Sequence, residues 1–251
     1  MRMLVDTHCH IHESDFPLPI DEVMARAKEA SVDTLLCIGT SEESSKAAVN
    51  FADSKDGVWA SIGVHPHDTK DGYVKIERLA GTSNKIIAVG EIGLDYFYTH
   101  SPKELQLKAL EDQIQVAVAH DLPIIFHVRE AFDDFWPIFD KYPQIRGELH
   151  SFTDSKENLA EALKRGLLIG VNGISTFTKD EAQKAMFDSI PLDRILFETD
   201  APFLTPAPFR GKVNEPAFVR NVAEYHANRR GISLQEIADA STANARKLFA
   251  I

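Results

Sequence analysis

Short apolar runs alternate along the chain with longer segments in which apolar residues recur every three or four positions. The runs MLVDT (3–7), TLLCIG (34–39), VWASIGV (58–64), IIAVGEI (86–92), PIIFHV (123–128), GELHSF (147–152), LLIGVNG (167–173) and RILFETD (194–200) predict eight strands. Between them, segments such as PIDEVMARAKEA, SPKELQLKALEDQIQVAVAH and SKENLAEALKRG combine helical apolar spacing with strong helix formers. The last helix opens on a capping box, Ser233 and Glu236 in SLQE, and runs amphipathically through SLQEIADASTANARKLFA. No Ser/Gly-rich linker, charge run or low-complexity segment interrupts the alternation, so the expectation is a single domain over residues 1–251. Eight strand–helix alternations in this length match an α/β fold of the TIM-type (β/α)8 barrel, with an extra C-terminal helix. A doubly wound open sheet is the competing arrangement, and strand counting alone does not reject it.

Composition narrows the setting. With 44% hydrophobic and 26% charged residues, the 251-residue chain can bury a substantial core. No apolar stretch reaches the roughly 18 residues of a membrane span, and the first residues lack the pattern of a secretory signal. A soluble, cytoplasmic protein with no membrane association is expected. Cys9 and Cys37 both lie in apolar β-like runs, which predicts buried, reduced thiols rather than a disulfide framework. The formal charge of −11 argues against a broad basic face for duplex nucleic acid, but it leaves room for a local cationic pocket.

The unusual residues gather at the ends of the predicted strands. Run one ends in Asp6, His8 and His10, run three in His65 and His67, and run four in Glu91. Run five ends in His127 and Arg129, run six in His150, and run eight in Glu198 and Asp200. In a barrel the carboxyl ends of all strands converge on one face, so residues distant in sequence meet at a single mouth. Side chains two apart on a strand share a face, which sets His8 with His10, His127 with Arg129 and Glu198 with Asp200. Each alone has an ordinary explanation as a surface or turn residue. Together they are costly to bury without something to coordinate, and imidazoles with carboxylates are good ligands for divalent cations. His100, His120 and His226 lie away from these ends.

Collinear motifs across essentially the whole chain resemble the TatD-type metal-dependent deoxyribonucleases of the amidohydrolase superfamily. They are VDTHCHI (5–11), GVHPH (63–67), VGEIGLDYF (89–97), LPIIFHVREA (122–131), HSF (150–152), ILFETDAPFLTP (195–206), RGKVNEP (210–216) and TANARKLF (242–249). The resemblance implies a barrel with two divalent metal ions at its mouth. His8, His10 and Asp200 would hold one ion, His127 and His150 the other, and Glu91 would bridge them. His65 and Arg129 would line the substrate groove. Two positions depart from the pattern: Asp154 follows HSFT where many members have glycine, and Val213 replaces a common arginine in RGKVNEP.

The resemblance implies a phosphodiester hydrolase acting on DNA, expected at single-stranded or frayed ends in the manner of an exonuclease, with no obligate protein partner. A metal-activated water would attack phosphorus, with Asp200 as proton acceptor and Glu91 as the second catalytic carboxylate. Arg129, Arg210 and Lys212 would add local positive charge. Ligand softness favours zinc, manganese, cobalt or nickel, whereas the resemblance implies magnesium. The same ligand set would serve a hydrolase of small amides, lactones or aminoacyl esters, including aminoacyl-tRNA. A non-catalytic metal-binding scaffold is a further alternative, disfavoured by the cysteine-free ligand set. The loop aromatics Tyr96, Phe97 and Tyr98 are placed either to stack on bases or to pack under the following helix.

Overall fold

The computed structural model describes residues 4–251, so Met3, the first residue of the predicted first strand, lies outside the described residues. All eight predicted strands form: β1 (Leu4–Cys9), β2 (Val32–Ile38), β3 (Val58–Ile62), β4 (Ile86–Asp95), β5 (Ile124–Arg129), β6 (Gly147–Leu149), β7 (Leu168–Val171) and β8 (Ile195–Phe197). They build one sheet in the order β1 to β8. Its last strand returns to the first, because Asp200 N–H donates to the His8 carbonyl (2.8 Å) and His10 N–H to the Ala201 carbonyl (2.7 Å). A parallel sheet in chain order that closes on itself is a (β/α)8 barrel rather than a doubly wound open sheet. The helices are α1 (Ile20–Glu29), α2 (Glu42–Asp53), α3 (Lys75–Leu79), α4 (Lys103–Ala119), α5 (Phe132–Phe139), α6 (Lys156–Lys164), α7 (Ile174–Phe177), α8 (Glu181–Asp188), α9 (Val219–Arg230) and α10 (Leu234–Phe249). None of the described helices is long and apolar enough to cross a membrane.

The chain packs as two compact units. One joins the N-terminal stretch through Cys37 to Ser151–Ile251. Here β1 and β8 are clamped by Asp6, whose buried carboxylate accepts from Thr199 N–H (2.8 Å) and the Thr199 hydroxyl (2.6 Å). Burial pushes the Asp6 carboxyl well up, against the hydrogen bonds from Thr199. Asp6 is thus consumed in joining strands. Cys9 and Cys37 are register partners on β1 and β2, both free and buried. Helix α10 starts where Glu236 N–H donates to Ser233 Oγ (3.1 Å), and it packs its apolar face, including Ile237, Ala245 and Phe249, against β1 and β8. On α9, buried His226 hydrogen-bonds Ser175 Oγ (2.8 Å) and stacks on Phe197, with ring centroids 5.8 Å apart.

The second unit, Ile38–His150, carries β3 to β6 with α2 to α5. Strand β4 is buried along all ten residues, as a strand covered on both faces must be. At its centre Gly93 is the register partner of His127. A Cβ at Gly93 would sit on the His127 carbonyl oxygen, so only glycine lets β5 come this close. Phe126 of β5 packs on Phe135 and Phe139 of α5, with ring centroids 5.0 and 5.9 Å apart. Helix α4 buries two glutamines. Gln113 accepts from Val64 N–H (2.7 Å) and donates to its carbonyl (3.2 Å). Gln106 does the same for Asp95, at 2.9 and 3.1 Å, which fixes the end of β4.

Candidate metal centre

The first unit holds a three-atom cluster. Along extended β1, residues 8 and 10 share a face, and the ring Nε2 atoms of His8 and His10 lie 3.2 Å apart. Asp200, just beyond β8, brings Oδ1 to 3.2 Å from His10 Nε2 and 3.8 Å from His8 Nε2. Two donors about 2.0–2.1 Å from a tetrahedral ion are about 3.3 Å from each other, so this triangle has the dimensions of a divalent cation site. Its chemistry, two imidazole nitrogens and a carboxylate, suits such an ion. The Asp6–Thr199 clamp and the Asp200–His8 backbone bond hold the contributing strand ends together. His12, the third histidine of the opening motif, pairs instead with Glu13 (3.2 Å).

The second unit holds a cluster centred on Glu91. Its Oε1 lies 2.7 Å from His127 Nδ1, 3.6 Å from His65 Nε2 and 3.7 Å from His150 Nε2. His65, Glu91 and His127 present their ligand atoms within metal-binding reach of one another. Because His127 stands opposite Gly93, it lies between Glu91 and Asp95, two same-face carboxylates of β4. Asp95 Oδ2 meets His127 Nε2 at 3.0 Å and His67 Nε2 at 2.9 Å. Asp95 Oδ1 accepts from the backbone N–H groups of Phe97 and Tyr98, both at 3.0 Å. Burial alone would raise the Asp95 carboxyl, but the bonds from His127, Tyr98 N–H and His67 outweigh it and hold the group well below the usual carboxylate range. Burial works against a proton on His127, yet its bonds to Asp95 and Glu91 raise its pKa. Burial, then the neighbouring His127, pushes His65 well down, into the neutral form that ligates metals.

Sequence spacing missed Asp95 and the role of His67. The available signal was parity, since Asp95 is four residues from Glu91 on the same strand face. His100, read as remote, lies in the second unit with its ring 4.8 Å from that of His67. Glu198 is buried and accepts from Ser151 N–H (2.8 Å) and Asn172 Nδ2 (3.2 Å). Those bonds tether the backbone that follows His150. Arg129 lays its guanidinium 3.9 Å from the Phe97 ring centroid. Lys212 stands on the segment after β8 with its ammonium 5.4 Å from the Phe209 ring, and Arg210 donates to the Thr205 carbonyl (2.8 Å). Glu130 (φ 53°), Ser151 (φ 49°) and Asp200 (φ 59°) are left-handed without being glycine. Each follows the end of a strand, where a side-chain-bearing residue holds a backbone conformation that costs energy.

Comparison with known proteins bears on this geometry. The family model described as "TatD related DNase" matches residues 5–250. An uncharacterized metal-dependent hydrolase, YabD of Bacillus subtilis (strain 168), is 37% identical over 99% of this chain and 100% of its own. A protein named 3'-5' ssDNA/RNA exonuclease TatD, from Citrobacter rodentium (strain ICC168), is 34% identical over 99% of this chain and 98% of its own. Among solved structures, the TatD homologue YjjV of Escherichia coli K12 superposes with a TM-score of 0.91 at 28% identity, covering 99% of this chain and 98% of that one.

Proposed function

This chain belongs to the TatD family of metal-dependent hydrolases, and from that premise we propose that it is a 3'-5' exonuclease acting on single-stranded or frayed DNA ends. The reading rests on the His8–His10–Asp200 triangle, with donor separations of 3.2 to 3.8 Å that suit a divalent ion. In this proposal residues 1–251 work as one catalytic domain with two ions. His8, His10 and Asp200 would hold one and His127 and His150 the other, with the Glu91 carboxylate as the ligand that would serve both. The proximity of His65 to Glu91, at 3.6 Å, supports a place for His65 beside the second ion as well as in the groove.

When bound, the ions supply Lewis acidity, lowering the pKa of a water and offsetting phosphoryl charge. Asp200 accepts the proton of the attacking water as its oxygen closes on phosphorus in line. Arg129 and Lys212 balance charge on the phosphate, and His65 orients it. Asp95 holds the His127 ring from behind through Nε2 and leaves Nδ1 for ligation.

The test is hydrolysis of a 5'-labelled single-stranded oligonucleotide, with metal content measured alongside. Chelation is expected to abolish turnover, and add-back of magnesium, manganese, zinc, cobalt or nickel identifies the supporting ion. Asp200→Asn should lower the rate by about 10²- to 10⁴-fold, the usual weight of a positioned proton acceptor. Hydrolysis that survives full removal of metal would defeat the metal mechanism. Turnover of carboxylic or aminoacyl esters without any on oligonucleotides would transfer the chain to the ester branch.

A further inference from the structure

Three consecutive aromatic residues follow the last buried position of β4, and the structure uses them differently. Tyr96 is structural: its hydroxyl donates to Asp134 Oδ2 (2.8 Å), and the Lys103 ammonium lies 4.7 Å from its ring. Phe97 and Tyr98 are instead 49% and 42% exposed, among the few large apolar side chains left to solvent in the described residues. Their rings meet edge to face, with centroids 4.6 Å apart. Tyr98 stacks on His100 at 5.5 Å with an interplanar angle of 16°. The guanidinium of Arg129 covers Phe97 at 3.9 Å and lies 5.0 Å from the Tyr98 ring. Among the described residues Arg129 pairs with no carboxylate, so its charge is available to an incoming anion.

This surface is held rigidly to the second cluster. Asp95 Oδ1 accepts from the backbone N–H of both Phe97 and Tyr98, and Oδ2 of the same carboxylate engages His127. One buried group therefore sets the aromatic pair and a candidate metal ligand in a common frame. An exposed aromatic pair backed by an unpaired guanidinium presents a π face and a positive charge together. A nucleobase and its phosphate carry the matching pair.

We propose that Phe97 and Tyr98, backed by Arg129, form a stacking shelf for a nucleobase within three residues of the 3' end of a single strand. The inference rests on the exonuclease reading above and adds to it the subsite that grips the end. Stacking engages the π face that every base has, so the shelf is indifferent to sequence. It also makes no use of the 2'-hydroxyl, so it serves DNA and RNA alike.

The experiment compares the wild-type holoenzyme with Phe97→Ala/Tyr98→Ala on oligonucleotides that end either in normal nucleotides or with one abasic residue at each of the last three positions. In the wild type, loss of the stacked base is expected to raise KM by about 5- to 150-fold at one of those positions, the range for one base–aromatic stack. In the double variant that discrimination should collapse toward unity. Indifference of the wild type to an abasic residue at all three positions overturns the shelf, as does a double variant that keeps the wild-type ratio. Either result leaves the nuclease reading standing, because turnover of the intact strand is measured in the same series. A wild type that cleaves none of the strands overturns both. Phe97→Leu/Tyr98→Leu, which keeps apolar bulk without a π face, should discriminate as poorly as the alanine pair. Wild-type discrimination in the leucine pair would reduce the shelf to plain apolar contact and overturn stacking.

Discussion

Replacing Asp95 by asparagine probes how the second cluster is held. The carboxylate is buried and makes four polar contacts of 2.9 to 3.0 Å, two to imidazoles through Oδ2 and two to backbone N–H through Oδ1. Asparagine keeps an oxygen for Phe97 and Tyr98 N–H but turns an amide donor toward the Nε2 atoms of His67 and His127. To accept that bond, His127 must carry its proton on Nδ1, the nitrogen that faces Glu91 at 2.7 Å. That is the wrong tautomer for ligation through Nδ1. Loss of such a supporting carboxylate weakens metal binding by about 10- to 100-fold, or about 1.4–2.7 kcal/mol. Alanine at 95 also strands two backbone donors at about 1–3 kcal/mol each when fully buried. Because Phe97 and Tyr98 are partly exposed and water can reach the loop, about 2 kcal/mol in total is the expected stability loss. Metal affinity is read by competition with a chromophoric chelator, and stability by urea unfolding of the metal-free protein. An asparagine variant that binds metal within twofold of wild type would refute the orienting role of Asp95.

Three further outcomes follow from the packing. His226 is held down to about 3, from an ordinary 6.5, by burial and then by the nearby Arg230 charge, so it is neutral when folded and takes a proton when unfolded below about pH 6.5. Its contribution is complete above pH 6.5 and is lost as the pH falls toward 3. By pH 5 the loss is about 2 kcal/mol, so His226→Phe should flatten the urea-stability curve over that interval, and parallel curves would count against the reasoning. Phe135→Ala opens the Phe126–Phe139 cluster and should cost about 3–5 kcal/mol in denaturant unfolding, with a loss under 1 kcal/mol showing that the site collapses freely. Gly93→Ala places a methyl on the His127 carbonyl and should reduce metal stoichiometry together with melting temperature. Full metal occupancy in that variant would mean that β4 and β5 can part without disturbing His127.

The strand count was legible because burial on both faces imposes unbroken apolar runs, as in IIAVGEI and PIIFHV. Strand ends were less so. Strand β4 runs on to Asp95, three residues past the predicted stop, because Gly93 and Asp95 break the apolar pattern while pairing normally with β5. Conversely, the predicted RILFETD strand stops at Phe197: Glu198 N–H still reaches the Val171 carbonyl (3.1 Å), but Asp200 N–H bonds to His8 on β1 and its left-handed backbone ends the extended run. His8 and His10 were visible through two-residue parity, which strand geometry obeys locally. Asp95 and His100 were not, nor was the pairing of His67 with Asp95, because their grouping depends on which strand lies opposite Gly93 and on how the following loop folds back. Asp6 stands beside the histidines at the end of the first run, but its carboxylate is spent on Thr199, a partner that no local spacing reveals.

The Asp6–Thr199 clamp spans 193 positions of the chain, and this separation has a consequence for synthesis. Synthesis passes from His8 and His10 through every later strand of the sheet before it reaches Asp200. Until then the two histidines lack their carboxylate companion, so a product truncated before Asp200 carries only two of the three donors of the first cluster.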